Sequence, residues 1–225
     1  MPDFKTLLIY KILREIKNSY SHLLDFFLST AERIIIITRE HLLDKKLGIE
    51  TFEPCYEKDT QSFYKDGLAY FPSSYSILEK VVKRVELSKD DVVVDMGCGK
   101  GRVVFFMAME EVKRVIGVEI RRDTVEAAKV NFSNFKYKKS PLEIINADVI
   151  NFNPKEGTVF FFFNPFGYRT FDKVIENIKN SLITNPRKIK ILYYNATYSF
   201  LLDSQDWLSS KGEIGDTKVF LWESK

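Results

Sequence analysis

Five short apolar runs recur along the chain: Val92 to Met96, Val115 to Glu119, Leu142 to Asn146, Thr158 to Phe163 and Lys188 to Tyr194. Continuous rather than alternating apolar character marks strands buried on both faces, as in a parallel sheet. Helical spacing between the runs predicts helices from Arg102 to Glu110, from Asp123 to Phe135, and along Phe171, Val174, Ile175 and Ile178. Asp123 and Glu126 have the spacing of a capping box. Ile77, Leu78, Val81, Val82 and Val85 form one helical face behind Pro72, a residue suited to a first helical turn. After the fifth run, a helix is expected around Phe200 to Leu208. Two short strands near Glu213 to Gly215 and Lys218 to Trp222 then predict a closing antiparallel hairpin. Strands alternating with helices predict a doubly wound, Rossmann-like α/β sheet of about seven strands.

Upstream of this pattern the chain is helix-like from Phe4 to Leu43, with Leu8, Ile12, Ile16 and Tyr20, then Leu23, Leu24, Phe27 and Leu28, at helical spacing. Breaks at Asn18, Ser19 and at Ser29, Thr30 divide it into two or three helices. Gly48 to Gly67 is polar, lacks periodicity and reads as a connecting loop. Residues 1–62 are therefore read as a helical extension with its linker, and residues 63–225 as the main domain. The extension can pack on that domain, on a second copy of the chain as a homodimer, or along a membrane surface. Its polar face mixes acids with bases, which favours packing.

Composition narrows the classes. Hydrophobic residues make up 45% and charged residues 29%, ordinary values for a globular protein, and the net charge of +3 is too small to indicate nucleic acid by itself. Cys55 and Cys98 do not make a disulfide framework, so a reducing compartment is expected. Cys98 reads as a small side chain filling a turn. His22 and His41, without clustered cysteines, leave a zinc site short of ligands. The longest apolar runs, Ile34 to Ile37 and Val159 to Phe163, fall far short of the roughly 18 residues that span a bilayer. Lys11, Arg14, Glu15 and Lys17 interrupt any signal-peptide core. No transmembrane segment and a cytoplasmic location are the expectations.

Ligands of open α/β sheets bind beyond the carboxyl ends of the strands, where strand order reverses. Polar residues stand at four of those ends. The first run gives Asp95 and the turn Gly97-Cys98-Gly99-Lys100-Gly101, whose glycines let backbone approach a ligand closely. The second gives Glu119, about 20 residues past the first glycine, where nucleotide folds hold a ribose. The third gives Asp148 and the fourth Asn164. Each has a plainer role: Asp95 capping the following helix, Glu119 pairing with Arg121 or Arg122, Asp148 capping a turn, Asn164 and Pro165 ending a buried strand. A nicotinamide-dependent oxidoreductase would also need a ribose carboxylate. Its glycine spacing is G-x-G-x-x-G, whereas this turn is G-x-G-x-G.

The segments D-M-G-C-G-K-G-R and V-I-G-V-E-I resemble the first two motifs of class I S-adenosylmethionine (SAM) methyltransferases, over roughly residues 70–225. The resemblance implies SAM as cofactor. It implies backbone contact at Gly97, Gly99 and Gly101 with Asp95 near the cofactor's amino group. Glu119 would accept from both ribose hydroxyls, Asp148 from the adenine amino group, and Ile120 and Val149 would wall the ring. Tyr70, Pro72 and Ser73 precede the first helix of the domain, where similar lysine methyltransferases close a loop over the cofactor carboxylate. A helix N-terminus behind Ser73 suits that anion. The longer layout, including L-D-K-K-L-G-I-E-T and N-P-R-K-I-K-I-L-Y-Y-N, resembles bacterial SAM-dependent methyltransferases without an assigned substrate.

Asn164, Pro165 and Phe166 stand where amino-methylating families carry an Asn-Pro-Pro-aromatic tetrad that orients the target amine. Here the sequence is Asn-Pro-Phe-Gly, which lacks the second proline and moves the aromatic one place earlier. The resemblance implies an enzyme that methylates a nitrogen, of protein lysine or similar. Alternatives are an RNA or small-molecule N- or O-methyltransferase and a SAM-binding module without catalysis. Phe132, Phe135 and Tyr137 interleaved with Lys136, Lys138 and Lys139 offer an RNA-stacking surface. Helix-terminal cations compensating the dipole account for the same lysines. Tyr193, Tyr194 and Asn195 follow the fifth strand, where they line an acceptor pocket or fill the core.

Overall fold

The computed structural model describes residues 34–52 and 70–225. The helices expected before Ile34, and most of the Gly48 to Gly67 loop, lie outside the described residues. A helix, α1, is described over residues 34–47. It is followed by α2 (Tyr75–Val85), β1 (Val92–Met96), α3 (Arg102–Met107), β2 (Arg114–Glu119), α4 (Arg122–Asn134) and β3 (Leu142–Asn146). The chain continues through β4 (Val159–Phe163), α5 (Tyr168–Thr184), β5 (Lys190–Tyr194), α6 (Ser199–Asp203), β6 (Leu208–Glu213) and β7 (Val219–Ser224). Two compact units divide between Leu43 and Asp44, inside α1, and the whole sheet lies in the second.

The seven strands form one sheet in the order β3-β2-β1-β4-β5-β7-β6. The five strands β1 to β5 pair in parallel, while β7 runs antiparallel to both β5 and β6. Each parallel strand is an apolar run because helices cover both faces. Val92 to Met96 is buried along its whole length, and Phe160, Phe161 and Phe162 are fully enclosed. On one face Phe162, Phe171, Tyr193 and Trp222 centre the core beneath α5. Phe162 meets Phe171 edge-on, with ring centroids 5.2 Å apart. Chain order reverses between β1 and β4, where Val93 lies opposite Val159, so the crevice of this sheet opens there.

Four sequence expectations shift. The helix after β5 ends at Asp203, and β6 starts at Leu208, so Glu213 to Gly215 is the bend into the hairpin rather than its first strand. β6 is an edge strand whose Ser-Ser-Lys-Gly-Glu stretch faces solvent, with a bulge between Ser210 and Gly212. Such a strand carries no apolar signal, and its bulge blunts an exposed edge. α3 stops at Met107 rather than Glu110. The capping box does not form, because the N-cap of α4 is Arg121, two residues before Asp123. That start puts Asp123 inside the first turn, where it pairs with Arg121 at 2.9 Å, and Glu126 pairs with Lys129.

Gly117 shows how tightly the face between β2 and the glycine turn is filled. A Cβ there would lie 2.7 Å from Cys98 Sγ, 2.8 Å from Val104 and 2.9 Å from Ile144. Cys98 and Val104 are buried and have little room to retreat. Gly117→Ala is expected to destabilise the protein by about 1–3 kcal/mol, as overpacked cores do. A lowered urea midpoint at unchanged m-value checks this, and an unchanged midpoint refutes it.

Candidate functional site

The turn after β1 is built from backbone that only glycine adopts cheaply. Gly97, Gly99 and Gly101 have φ of +89°, +52° and +89°, in the left-handed region that a Cβ disfavours. Gly97 and Cys98 both donate their N–H groups to the Val118 carbonyl, at 2.8 and 3.0 Å, which ties the turn to β2. Gly101 then hands the chain to α3, accepting from Phe105 N–H at 2.9 Å. Close approach matters as much as φ at two positions. A Cβ on Gly97 would lie 2.3 Å from Pro165, and one on Gly99 2.3 Å from the ring of Tyr70. Residues from three separate segments therefore meet at this turn.

Glu119 ends β2 with its carboxylate turned onto the turn. Its Oε2 accepts from Gly99 N–H at 3.0 Å and its Oε1 from Arg121 N–H at 2.9 Å. The guanidinium of Arg121 is instead engaged with Asp123. Burial raises the Glu119 carboxyl above its usual range, opposed by the backbone N–H groups of Arg121, Gly99 and Ile120. Asp95 is 4% exposed at the end of β1. Among the described residues no hydrogen bond is recorded to its side chain, and it does not cap α3, whose N-cap Gly101 receives no side-chain bond. Burial first, then the charge of Glu119, push its carboxyl up to about 8. Burial likewise pushes the enclosed Cys98 thiol well above its ordinary range, so it stays a thiol.

At the β3 end, Asp148 caps a turn, its Oδ1 accepting from Ile150 N–H at 2.9 Å, while the residue stays half-exposed. Val149 is buried in the core, and Ile120 is half-exposed beyond Glu119. A residue given no role in the sequence reading sits between them. Asn146 Nδ2 donates to the carbonyls of Glu119 and Ile120, at 3.0 and 2.9 Å, clamping the β2 and β3 ends together.

The β4 end holds Asn164 in the left-handed region at φ +40°. Its Nδ2 donates to the Asn195 carbonyl at 2.7 Å, while its buried Oδ1 has no hydrogen-bond partner among the described residues. Pro165 leans on Gly97. Phe166 turns the other way: it is buried in the core, edge-on to Phe162 at 6.2 Å, and does not face the crevice. The aromatic surface at the strand ends is supplied by Phe163 and Tyr194, stacked at 4.1 Å and 20°. Tyr193 is core, and burial pushes its enclosed hydroxyl up to about 12, opposed by the Tyr198 backbone. Before α2, Tyr70 covers Gly99 and donates its hydroxyl to the Thr51 carbonyl. Pro72 is half-buried, and Ser73 is buried with its carbonyl accepting from Arg102 at 3.2 Å.

The crevice thus offers two shielded carboxyl groups, Asp95 and Glu119, beside the glycine turn, and among the described residues no donor reaches the Asp95 side chain. Those acceptors fit a ligand that donates from an ammonium group and vicinal hydroxyls, as SAM does, and these strand ends would hold it.

The family model described as "Histone methylation protein DOT1" matches residues 60–152. A protein-lysine N-methyltransferase of Saccharolobus islandicus is 32% identical over 69 residues, covering 30% of this chain and 43% of that protein. The ribosomal RNA small subunit methyltransferase A of Mycoplasma capricolum is 35% identical over 89 residues, 38% of this chain and 30% of that protein. The chain thus spans less than half the length of these curated relatives. Among solved structures, a mutant of MtNAS in complex with S-adenosylmethionine superposes with a TM-score of 0.50 at 16% identity, over 67% of this chain and 62% of that one.

The buried state of Asp95 predicts a pH dependence. Its folded carboxyl keeps a proton up to about 8, whereas in the unfolded chain it ionises near 3.8. Its contribution to ligand-free stability is therefore complete below pH 4 and lost as pH rises toward 8. Asp95→Asn cannot ionise, so its urea midpoint should fall less between pH 5 and pH 8 than that of the wild type. Parallel curves would show that Asp95 ionises as an exposed aspartate does.

Proposed function

Because the chain carries the class I SAM-dependent methyltransferase fold, we propose that it binds SAM in the β1–β4 crevice and transfers its methyl group to a nitrogen nucleophile. One observation supports this above the others. Glu119 reaches back to Gly99 N–H at 3.0 Å, so the glycine turn and the ribose-type carboxylate form one unit beside Asp95. SAM supplies a methyl group on a sulfonium that departs as a neutral thioether. The protein's share is to bind, orient and exclude water, and positioning accounts for most of the rate gain in such a transfer.

In this reading Glu119 accepts from the ribose hydroxyls with lone pairs left free by Gly99 and Arg121, and Asp95 faces the cofactor's ammonium group. Gly97, Gly99 and Gly101 supply close backbone, Ile120 and Asp148 border the adenine, and Tyr70, Pro72 and Ser73 border the methionine end. Asn164, whose buried Oδ1 lacks a donor among the described residues, accepts an N–H of the acceptor amine and holds its lone pair toward the methyl group. Pro165 fixes the height of Asn164 by resting on Gly97.

We assign protein lysine as the acceptor, on the strength of the histone-methylation match over residues 60–152 and the lysine methyltransferase relative. RNA is the second reading, favoured by the rRNA methyltransferase relative and by the Phe163–Tyr194 stack, which offers a face to a base. No helix among the described residues is long and apolar enough to cross a membrane, and we place the protein in the cytoplasm. The N-terminal segment, where Ile34, Ile35, Ile36 and Leu42 are exposed, is assigned a docking role toward a second copy or a membrane surface.

Wild-type protein is expected to bind S-adenosylhomocysteine in calorimetry, and absence of binding overturns the reading. Glu119→Gln should weaken that affinity about tenfold or more. Asn164→Ala should leave it within about twofold while lowering the methylation rate about tenfold or more. Incubating a fractionated lysate with methyl-labelled SAM identifies the acceptor: label in protein supports lysine, label in RNA replaces it.

A further inference from the structure

Residues 44–52 cross behind the glycine turn and are fastened there by buried polar groups that no cofactor role uses. Asp44, 3% exposed, accepts from Thr51 N–H at 2.7 Å and Thr51 Oγ1 at 2.8 Å, and from the Tyr75 hydroxyl. Arg102, 3% exposed, donates from Nε to Thr51 Oγ1 at 2.6 Å, from Nη2 to Asp44 at 3.3 Å and from Nη1 to the Ser73 carbonyl at 3.2 Å. Its guanidinium also lies 4.6 Å above the Tyr75 ring. One arginine thereby joins residues 44–51, the Ser73 backbone before α2 and the first turn of α3.

Asn131 makes a second fastening. Its Oδ1 accepts from Glu50 N–H at 2.8 Å, and its Nδ2 donates to the Glu50 carbonyl at 2.8 Å and to the Lys100 carbonyl at 3.1 Å. The amide treats Glu50 as a neighbouring strand would and binds the glycine turn in the same gesture. Lys100, inside that turn, donates to the Glu50 carboxylate at 2.6 Å. The next residue, Thr51, carries the carbonyl that holds the hydroxyl of Tyr70, and the ring of Tyr70 lies on Gly99.

We infer that residues 44–52 form a latch setting the position of Tyr70 over Gly99, and that Arg102 and Asn131 are positioning residues for the cofactor, acting through this latch. The inference rests on the SAM-binding reading above. A buried arginine–aspartate pair adds little net stability over a well-packed apolar substitute, but it fixes one arrangement of the groups around it. Through Tyr70 and Lys100 the arrangement fixed here is that of the cofactor turn. Binding and latching are then coupled, and the coupling runs equally in both directions.

The test uses the full chain and S-adenosylhomocysteine. Tyr70→Phe removes the hydroxyl, with its bond to the Thr51 carbonyl, and keeps the ring. It should weaken binding about three- to tenfold with the melting temperature within about 2 °C of wild type. Arg102→Lys, which cannot fork between Thr51, Asp44 and Ser73, should weaken binding about tenfold or more. In hydrogen exchange on the wild type, ligand should slow the Glu50 and Thr51 amides about tenfold, and Tyr70→Phe should abolish much of that protection. If the wild type binds while Tyr70→Phe binds equally and ligand leaves those amides unchanged, the latch is refuted and Arg102 and Asn131 are structural only. If Arg102→Lys fails to fold, the Tyr70→Phe and exchange results decide alone. If the wild type itself does not bind, the SAM reading fails first and takes the latch with it.

Discussion

Pro165 and Tyr70 rest on the Cα atoms of Gly97 and Gly99, where a Cβ would come within 2.3 Å of each. This double contact couples three parts of the chain that are remote in sequence: the turn after β1, the loop after β4 and the segment before α2. Interiors packed at crystal-like density transmit displacement rather than absorb it. None of the three can therefore be re-shaped alone. The turn is also pinned from below, because Gly97 and Cys98 share one carbonyl of β2. The result is a rigid floor with a fixed height, the geometry that a close backbone contact to a ligand needs.

Onto that floor the fold brings two carboxylates, at the ends of adjacent strands and nearly out of contact with water. Parallel order leaves little choice, since Asp95 lies opposite Gly117 in the β1–β2 ladder, two residues before Glu119. Burial without a full set of donors is unfavourable for each acid, and their mutual repulsion adds to it. Glu119 is relieved by two backbone N–H groups and Asp95 by keeping its proton. Polar groups left in such a state cluster at functional sites. Their locations are set by the sheet, and their discomfort is relieved by whatever cation or hydroxyl enters the crevice.

Much of this was legible in the sequence because parallel strands buried on both faces are written as unbroken apolar runs. Val92 to Met96 and Thr158 to Phe163 leave no other reading, and the strand-end rule then delivers Asp95, Glu119, Asp148 and Asn164 to one side of the sheet. β6 was not legible, since an edge strand made of serine, lysine, glycine and glutamate has no reason to be apolar. The direction of Phe166 was not legible either, because an aromatic after Asn-Pro can turn to the crevice or the core with equal local cost. Asn131 did leave a trace. It is a polar residue on the buried face that Val125, Ala128 and Phe135 share, and an asparagine there needs partners. Asp44 and Arg102 leave none, since groups 58 positions apart impose no local period on each other.

The fastening of Glu50 by Asn131 also bears on the order in which the molecule is made. The two residues are separated by 81 positions, so a chain emerging from the ribosome exposes residues 44–52 long before α4 exists. Until α4 forms, the Glu50 backbone lacks the Asn131 amide that holds it in the finished fold. Closing a loop of that length costs entropy that only the docked state repays. Assembly of the crevice is therefore a late event in synthesis, and the chain completes its ligand-facing turn only after more than half of it has left the tunnel.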